Sequence, residues 1–264
     1  MTDGSLLIGN HLEWQREMAA GREPAVELEG LARNFGRRWA LRGITLRIRP
    51  GEAVALVGRN GSGKTTLLRV LATLLRPSRG RARVAGLDVV SQAAGVRELV
   101  GLMGHSPGVY DDLTAAENLR FALRMLGRPV EEAHVAAALE AVGLGAEAGV
   151  RVRGFSAGMR RRLALARLRL QRPRVLLLDE PYASFDAEGV ALLNDYVRET
   201  VGRGGVAIVA THDLARAEEV VGRIVTLEGG RLASDEMAGE PGVVTAGGGR
   251  LAARAGLPQE PQPT

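Results

Sequence analysis

The stretch GRNGSGKT at residues 58–65 constrains the fold of this chain more than any other. It fits the pattern G-x-x-x-x-G-K-[ST], with the apolar run EAVALV before it and TLLRVLATLL, apolar at helical spacing, after it. Such a loop works only between a strand and a helix. Gly58, Gly61 and Gly63 let the backbone curl so that successive N–H groups point inward at an anion. The helix that follows adds its positive N-terminal end. Of the 35 basic side chains Lys64 alone is a lysine, at the position where a slim point charge would reach the β- and γ-phosphates of a nucleotide. The planar fork of arginine is wider than such a cradle admits. The Thr65 hydroxyl, next along, is expected to hold Mg²⁺.

A phosphate cradle needs a carboxylate for the metal and a group to activate water, and RVLLLDEP at 174–181 supplies both after an apolar strand. Asp179 at the strand end would hold Mg²⁺ through its water shell. Glu180 would be the general base for the attacking water.

Apolar strand-like segments alternate with helical ones along the chain. AVELEGLAR, ALRGITLRI and EAVALVG precede the cradle, a helix over 64–75 is expected to stop at Arg76-Pro77, and GRARVAG is a further short strand. Helical patterns dominate from about 114 to 172. RVLLLDE, a helix near 187–202, GVAIVATHD and a helix near 213–221 follow, and RIVTLEGGRL reads as a hairpin turning on Gly229-Gly230. This alternation predicts an α/β fold whose parallel sheet is covered on both faces, with a small antiparallel β part and an inserted helical subdomain at about 106–172. Residues 1–24 read as an extension, 25–235 as the globular domain and 236–264, rich in Gly and Pro, as a flexible tail.

The chain has no cysteine, which excludes disulfides, thiolate metal sites and cysteine nucleophiles. Its apolar runs are strand-length, far short of the roughly 20 residues that span a bilayer, and its N-terminus lacks a secretory pattern. A cytoplasmic location is expected. Net charge is +5 with acidic residues interspersed, compatible with an anionic partner or with an ordinary solvated surface.

Further stretches now fit one pattern. FSAGMRRRLALAR (155–167) resembles the signature motif of ATP-binding-cassette (ABC) ATPases, THD (211–213) their switch histidine, ASFD (183–186) their D-loop and NFG (34–36) their adenine-stacking A-loop. Order and spacing match over 25–235. The resemblance implies a P-loop NTPase fold with a RecA-like core, ATP and Mg²⁺ as ligands, and two copies closing head-to-tail around two ATP molecules. By it, Phe35, Gly58, Arg59, Asn60, Gly61, Ser62, Gly63, Lys64, Thr65 and Thr66 bind ATP in one copy, while Ser156, Gly158 and Asp186 act from the other. Lys64, Glu180 and His212 would be catalytic; Thr65 and Asp179 would hold the metal, with His105 a further candidate. Trp39 is an alternative stacker, although Phe35 fits the spacing better.

Two departures stand out. The signature carries Ala157 and Met159 for a glycine and a glutamine, and His105 replaces the usual Q-loop glutamine. An imidazole can accept from a metal-bound water or carry a proton. The stretch GHSPGVYDDLTAAENLRF (104–121) resembles one branch of the family, the ATP-binding subunit of cytochrome c maturation (haem export), with Ser106 departing from that branch. DEPYASFDAEGVALLN (179–194) and LARLRL (165–170) resemble the same branch. That implies separate membrane-spanning permease subunits and a peripheral position on the inner face of the cell membrane. Other exporter ATPases (polysaccharide, lipid or drug) are the alternative, and a soluble ABC ATPase acting on nucleic acid is a third. The chain has one cassette and aromatics at only 3%, too few for a stacking surface, so no direct nucleic-acid contact is expected. Arg160, Arg161, Arg162, Arg167, Arg169 and Arg172 read as a solvated helix face, and His11 and His134 as surface or packed side chains.

Overall fold

Three five-residue strands form the centre of the molecule, β3 (Ala53–Val57), β7 (Val175–Asp179) and β8 (Val206–Ala210), every residue of them buried. The computed structural model describes residues 23–106 and 108–238; the expected tail at 236–264 begins too early, since strand pairing continues to Met237, and its residues from 239, with nearly all of the N-terminal extension, His11 included, lie outside the described residues. The central strands belong to a six-stranded sheet of order β10-β9-β3-β8-β7-β6, with β6 at Val100–Met103, β9 at Arg223–Glu228 and β10 at Arg231–Met237. Its pairings are parallel except for β9 with β10, the hairpin that turns on Gly229-Gly230 as expected.

Continuous apolar strands require cover on both faces, and alternate residues serve two cores. Val54, Leu56, Leu177 and Ile208 pack with helix α1 (Lys64–Leu71) and a second sheet. Ala55, Val57, Leu176, Leu178 and Val209 pack with the helical part: α3 (Ala115–Met125), α4 (Glu132–Glu140), α5 (Ala157–Gln171) and α6 (Ala187–Gly202). The second sheet is antiparallel, of order β2-β1-β4-β5, from β1 (Val26–Phe35), β2 (Arg38–Ile48), β4 (Arg79–Val84) and β5 (Leu87–Asp88). Between β5 and β6 lies α2 (Ala93–Leu99), and neither α2 nor β6 was evident from sequence periodicity.

Two expected helices are shorter than their apolar spacing suggested. Helix α1 ends at Leu71 rather than near Leu75, because Thr73 enters the left-handed region (φ 60) and the N–H groups of Leu74 and Leu75 turn back to the Arg69 carbonyl. The helix expected near 213–221 is only a 3₁₀ turn, Leu214–Arg216. There the Asn194 amide donates to the Arg216 carbonyl (3.1 Å), an acceptor that a continuing α-helix would need for residue 220.

The arginines of α5 are not a solvated face. Arg161 is 4% exposed and donates to the Gly104 and His105 carbonyls, while Arg167 donates to the Gly108 and Leu102 carbonyls. Arginine here fills the interior where its fork can meet two carbonyls. His134 is exposed beside Glu131.

Candidate nucleotide-binding site

The loop between β3 and α1 folds into a cradle because glycine stands where no other residue fits. Gly58 has φ 147, and a Cβ there would drive into the Leu227 carbonyl oxygen. Gly63, the N-cap of α1, has φ 112, and its Cβ would stand 2.7 Å from the Ala40 carbonyl oxygen. Beside this loop opens a cleft of about 440 Å³ lined by Phe35, Arg38, Ala40, residues 60–66 and Glu180. Lys64 is only 6% exposed, and its Nζ donates to the Gly58 carbonyl at 2.6 Å. Burial pushes its pKa down, against the pull of Glu180 and Asp179 in the other direction. The Ser62 hydroxyl, also buried, has no hydrogen-bond partner among the described residues. A desolvated cation, an orphaned hydroxyl and a glycine-shaped hollow at a helix N-terminus together suit a polyphosphate.

The carboxyl ends of the parallel strands supply the acidic groups. Asp179 closes β7, is buried, and accepts from Thr65 Oγ1 at 3.0 Å. This hydroxyl and carboxylate are a hard-oxygen donor pair of the kind that suits Mg²⁺. Glu180 follows with φ 48, a conformation non-glycine residues seldom adopt, held by its N–H donating to the Ala210 carbonyl at 2.8 Å. That turn aims its carboxylate at the cleft, and Glu180 Oε2 meets His212 Nδ1 at 2.8 Å.

Phe35 lines the cleft, 46% exposed, with the Arg33 guanidinium 4.7 Å from its ring centre. The Trp39 ring lies under Arg79 instead and is not part of the lining. Gly58 enters the cleft only through its carbonyl's hold on Lys64, and Arg59 does not line it. Ser156, Gly158 and Asp186 are also absent from the lining. Ser156 caps α5 by accepting from the Met159 N–H, and Asp186 caps α6 by accepting from the Gly189 N–H at 2.8 Å. The two stretches touch each other: a Cβ on Gly158 would stand 3.1 Å from the Ser184 carbonyl oxygen. His105 is exposed, just past the end of β6.

Comparison with known proteins now bears on this geometry. The family model described as ABC transporter matches residues 41–183, which span the cradle, the α5 stretch and Asp179-Glu180. The chain belongs to the ABC transporter family. It is 45% identical over 177 residues (67% of this chain, 79% of the relative) to the cytochrome c biogenesis ATP-binding export protein CcmA of Bordetella bronchiseptica. To the daunorubicin resistance ATP-binding protein DrrA3 of Streptomyces coeruleorubidus it is 38% identical over 227 residues, covering 85% of this chain and 72% of that protein. A solved ATP-binding subunit of an ABC transporter superposes with a TM-score of 0.74 at 27% identity, over 81% of this chain and 90% of that one. The chain is thus an ATP-binding subunit of an ABC transporter, a transport ATPase with the cassette fold.

Two features of this ABC ATPase site had escaped sequence reading. Arg38 lines the cleft against Gly61, signalled only by its nearness to Phe35 in sequence. Arg162 donates through Nη2 to both carboxylate oxygens of Asp186 (3.0 and 3.2 Å) and to Glu188 at 2.7 Å, so an α5 residue holds the 183–186 loop. Asp186 is held below its usual pKa, first by the Gly189 N–H and also by Arg162.

Proposed function

We propose that this subunit powers haem export in cytochrome c biogenesis, hydrolysing ATP between two copies of the chain. The carrying observation is the 45% identity to CcmA across 79% of that protein, beside the stretch GHSPG…LTAAENL at 104–119. The 38% identity to a drug-resistance ATP-binding protein, over more of this chain, supports a drug exporter as the second reading.

At the site, the N–H groups of residues 58–66 cradle the phosphates and Lys64 swings from the Gly58 carbonyl to the β- and γ-phosphates. Ser62 gains the partner it lacks, and Phe35 stacks on adenine. Thr65 and Asp179 would hold Mg²⁺, which when bound neutralises charge on the β- and γ-oxygens. Glu180 takes a proton from the attacking water, and His212, hydrogen-bonded to it, orients that carboxylate and faces the γ-phosphate. Because Ser156, Gly158 and Asp186 do not reach their own cleft, they serve the site of a second copy, the α5 N-terminus meeting its γ-phosphate. His105 is not part of the cleft lining but lies just past β6, where its imidazole would accept from the water shell of the metal or carry a proton.

No described helix is long and apolar enough to cross a membrane, so the conduit is assigned to a separate permease. Its docking surface is the apolar groove of about 430 Å³ formed by Tyr110, Phe121, Met125 and Leu74, all exposed. Tyr110 lies five residues beyond His105, so a permease seated there would bear on the nucleotide site and hold this subunit at the inner membrane face. Co-purification from detergent-solubilised membranes tests the reading. Haem-handling membrane subunits are expected; a drug or polysaccharide permease would overturn the haem assignment and leave the ATPase assignment intact.

A further inference from the structure

Among the described residues only three charged side chains are buried: Lys64, Asp179 and Arg161. The first two belong to the phosphate and metal sites. Arg161 has no role there, and no carboxylate forms a salt bridge with it among the described residues, although Asp179 is near enough to favour its charge. Burying a guanidinium is costly, and hydrophobic residues at such positions are often as stable or more so. Its partners indicate what the arginine does. Nη1 donates to the Gly104 carbonyl at 3.0 Å and Nη2 to the His105 carbonyl at 3.1 Å, one planar fork across two successive peptides.

Those peptides occupy a decisive place. Met103, the last residue of β6, pairs with Leu178 of β7, one residue short of Asp179. The chain leaving β6 therefore emerges beside the metal carboxylate, and nothing in its own sheet pairing fixes where residue 105 goes next. Arg161 supplies that constraint from α5, whose N-cap is Ser156 and whose first turn carries Gly158.

We propose that Arg161 is a positioning residue that forks the Gly104 and His105 carbonyls, sets where the His105 imidazole stands against the nucleotide site, and makes that position move with α5. The inference rests on the reading that His105 takes part in hydrolysis. It also explains why a buried cation sits between the helix that serves one ATP and the loop that serves the other.

A double-mutant cycle on the full chain tests it, with Mg-ATP turnover, fluorescent-ATP affinity without metal, and Tm measured for each variant. Arg161→Met and His105→Ala are each expected to lower kcat by about tenfold or more, the scale of a misplaced group, with metal-free ATP affinity kept within about threefold. The double variant should be no slower than the slower single one, because without the imidazole there is nothing left to position. Arg161→Lys keeps the charge and loses the fork, and should remain slow. The Tm loss from Arg161→Met should be the same in both backgrounds. Multiplicative losses of kcat, or full activity in Arg161→Lys, would overturn the inference while leaving the His105 reading in place. Wild-type kcat in His105→Ala would overturn that reading and the inference with it. Should Arg161→Met not fold, Arg161→Gln, whose amide can reach a single carbonyl, completes the same cycle.

Discussion

Replacing Lys64 by methionine separates a residue kept for a ligand from one kept for the fold. Lys64 is 6% exposed, and its ammonium donates to the Gly58 carbonyl at 2.6 Å. Losing that bond costs about 1–3 kcal/mol, the range for a buried acceptor left unmade. Against this stands relief of the desolvation that pushes the Lys64 pKa down, a penalty of several kcal/mol per buried ion, offset in part by Asp179 and Glu180. The terms nearly cancel, so stability should change by no more than about 1 kcal/mol, or roughly 2–4 °C in Tm for a chain of this size. Nucleotide affinity behaves differently. Charge-assisted bonds contribute about 1.5–3 kcal/mol each, and two phosphate groups are at stake, so Kd for ATP should rise at least about a hundredfold. Thermal denaturation with and without ATP, together with titration of a fluorescent ATP analogue, measures both. A Tm loss above about 10 °C would make Lys64 a structural residue and refute the reasoning, as would unchanged affinity. Lys64→Arg should also weaken ATP binding despite keeping the charge, because a planar guanidinium does not reproduce the compact ammonium that bonds the Gly58 carbonyl.

Gly58→Ala should cost at least about a hundredfold in ATP affinity and about 2–3 kcal/mol in stability, since a Cβ meets the Leu227 carbonyl and φ 147 strains any other residue. Retained affinity in calorimetric titration would count against the cradle geometry. Alkaline pH should expose Tyr182, which is buried, donates to Asn194 Oδ1 at 2.9 Å and has its pKa pushed up by burial. Because the folded pKa is the higher one, its contribution to stability is whole below the unfolded value of about 10 and falls by about 1.4 kcal/mol per pH unit above it. Denaturant unfolding from pH 8 to 11.5 should therefore show Tyr182→Phe less stable at pH 8, with the gap closing above pH 10; a constant gap would contradict this.

Much of the core could be read from sequence because its signals are local. β3 is an apolar run followed by Gly58, β7 one that ends in Asp179 and β8 one followed by Thr211-His212, and the cradle declares itself by glycine spacing. What escaped was set by tertiary contacts. The early end of α1 follows from the left-handed turn at Thr73, and the missing helix after His212 from an Asn194 amide reaching across from α6. Strand β6 is four residues long and exists by pairing with β7, which no local pattern announces. Arg161 was hidden by its company: one arginine in a run of three looks solvated until the fold turns it toward two carbonyls. The positive φ of Glu180, which aims the carboxylate at the cleft, likewise belongs to the strand end and its bond to Ala210.

The central claim is that one chain holds half of each active centre and that Glu180 is the base within it. The most direct measurement is the mass of Glu180→Gln in solution, by light scattering with and without Mg-ATP, alongside its rate of phosphate release. The account predicts that ATP converts the variant to a stable two-copy species while hydrolysis slows on the order of 10²-fold or more. Normal turnover in that variant, or a single-copy species at saturating ATP, would contradict it.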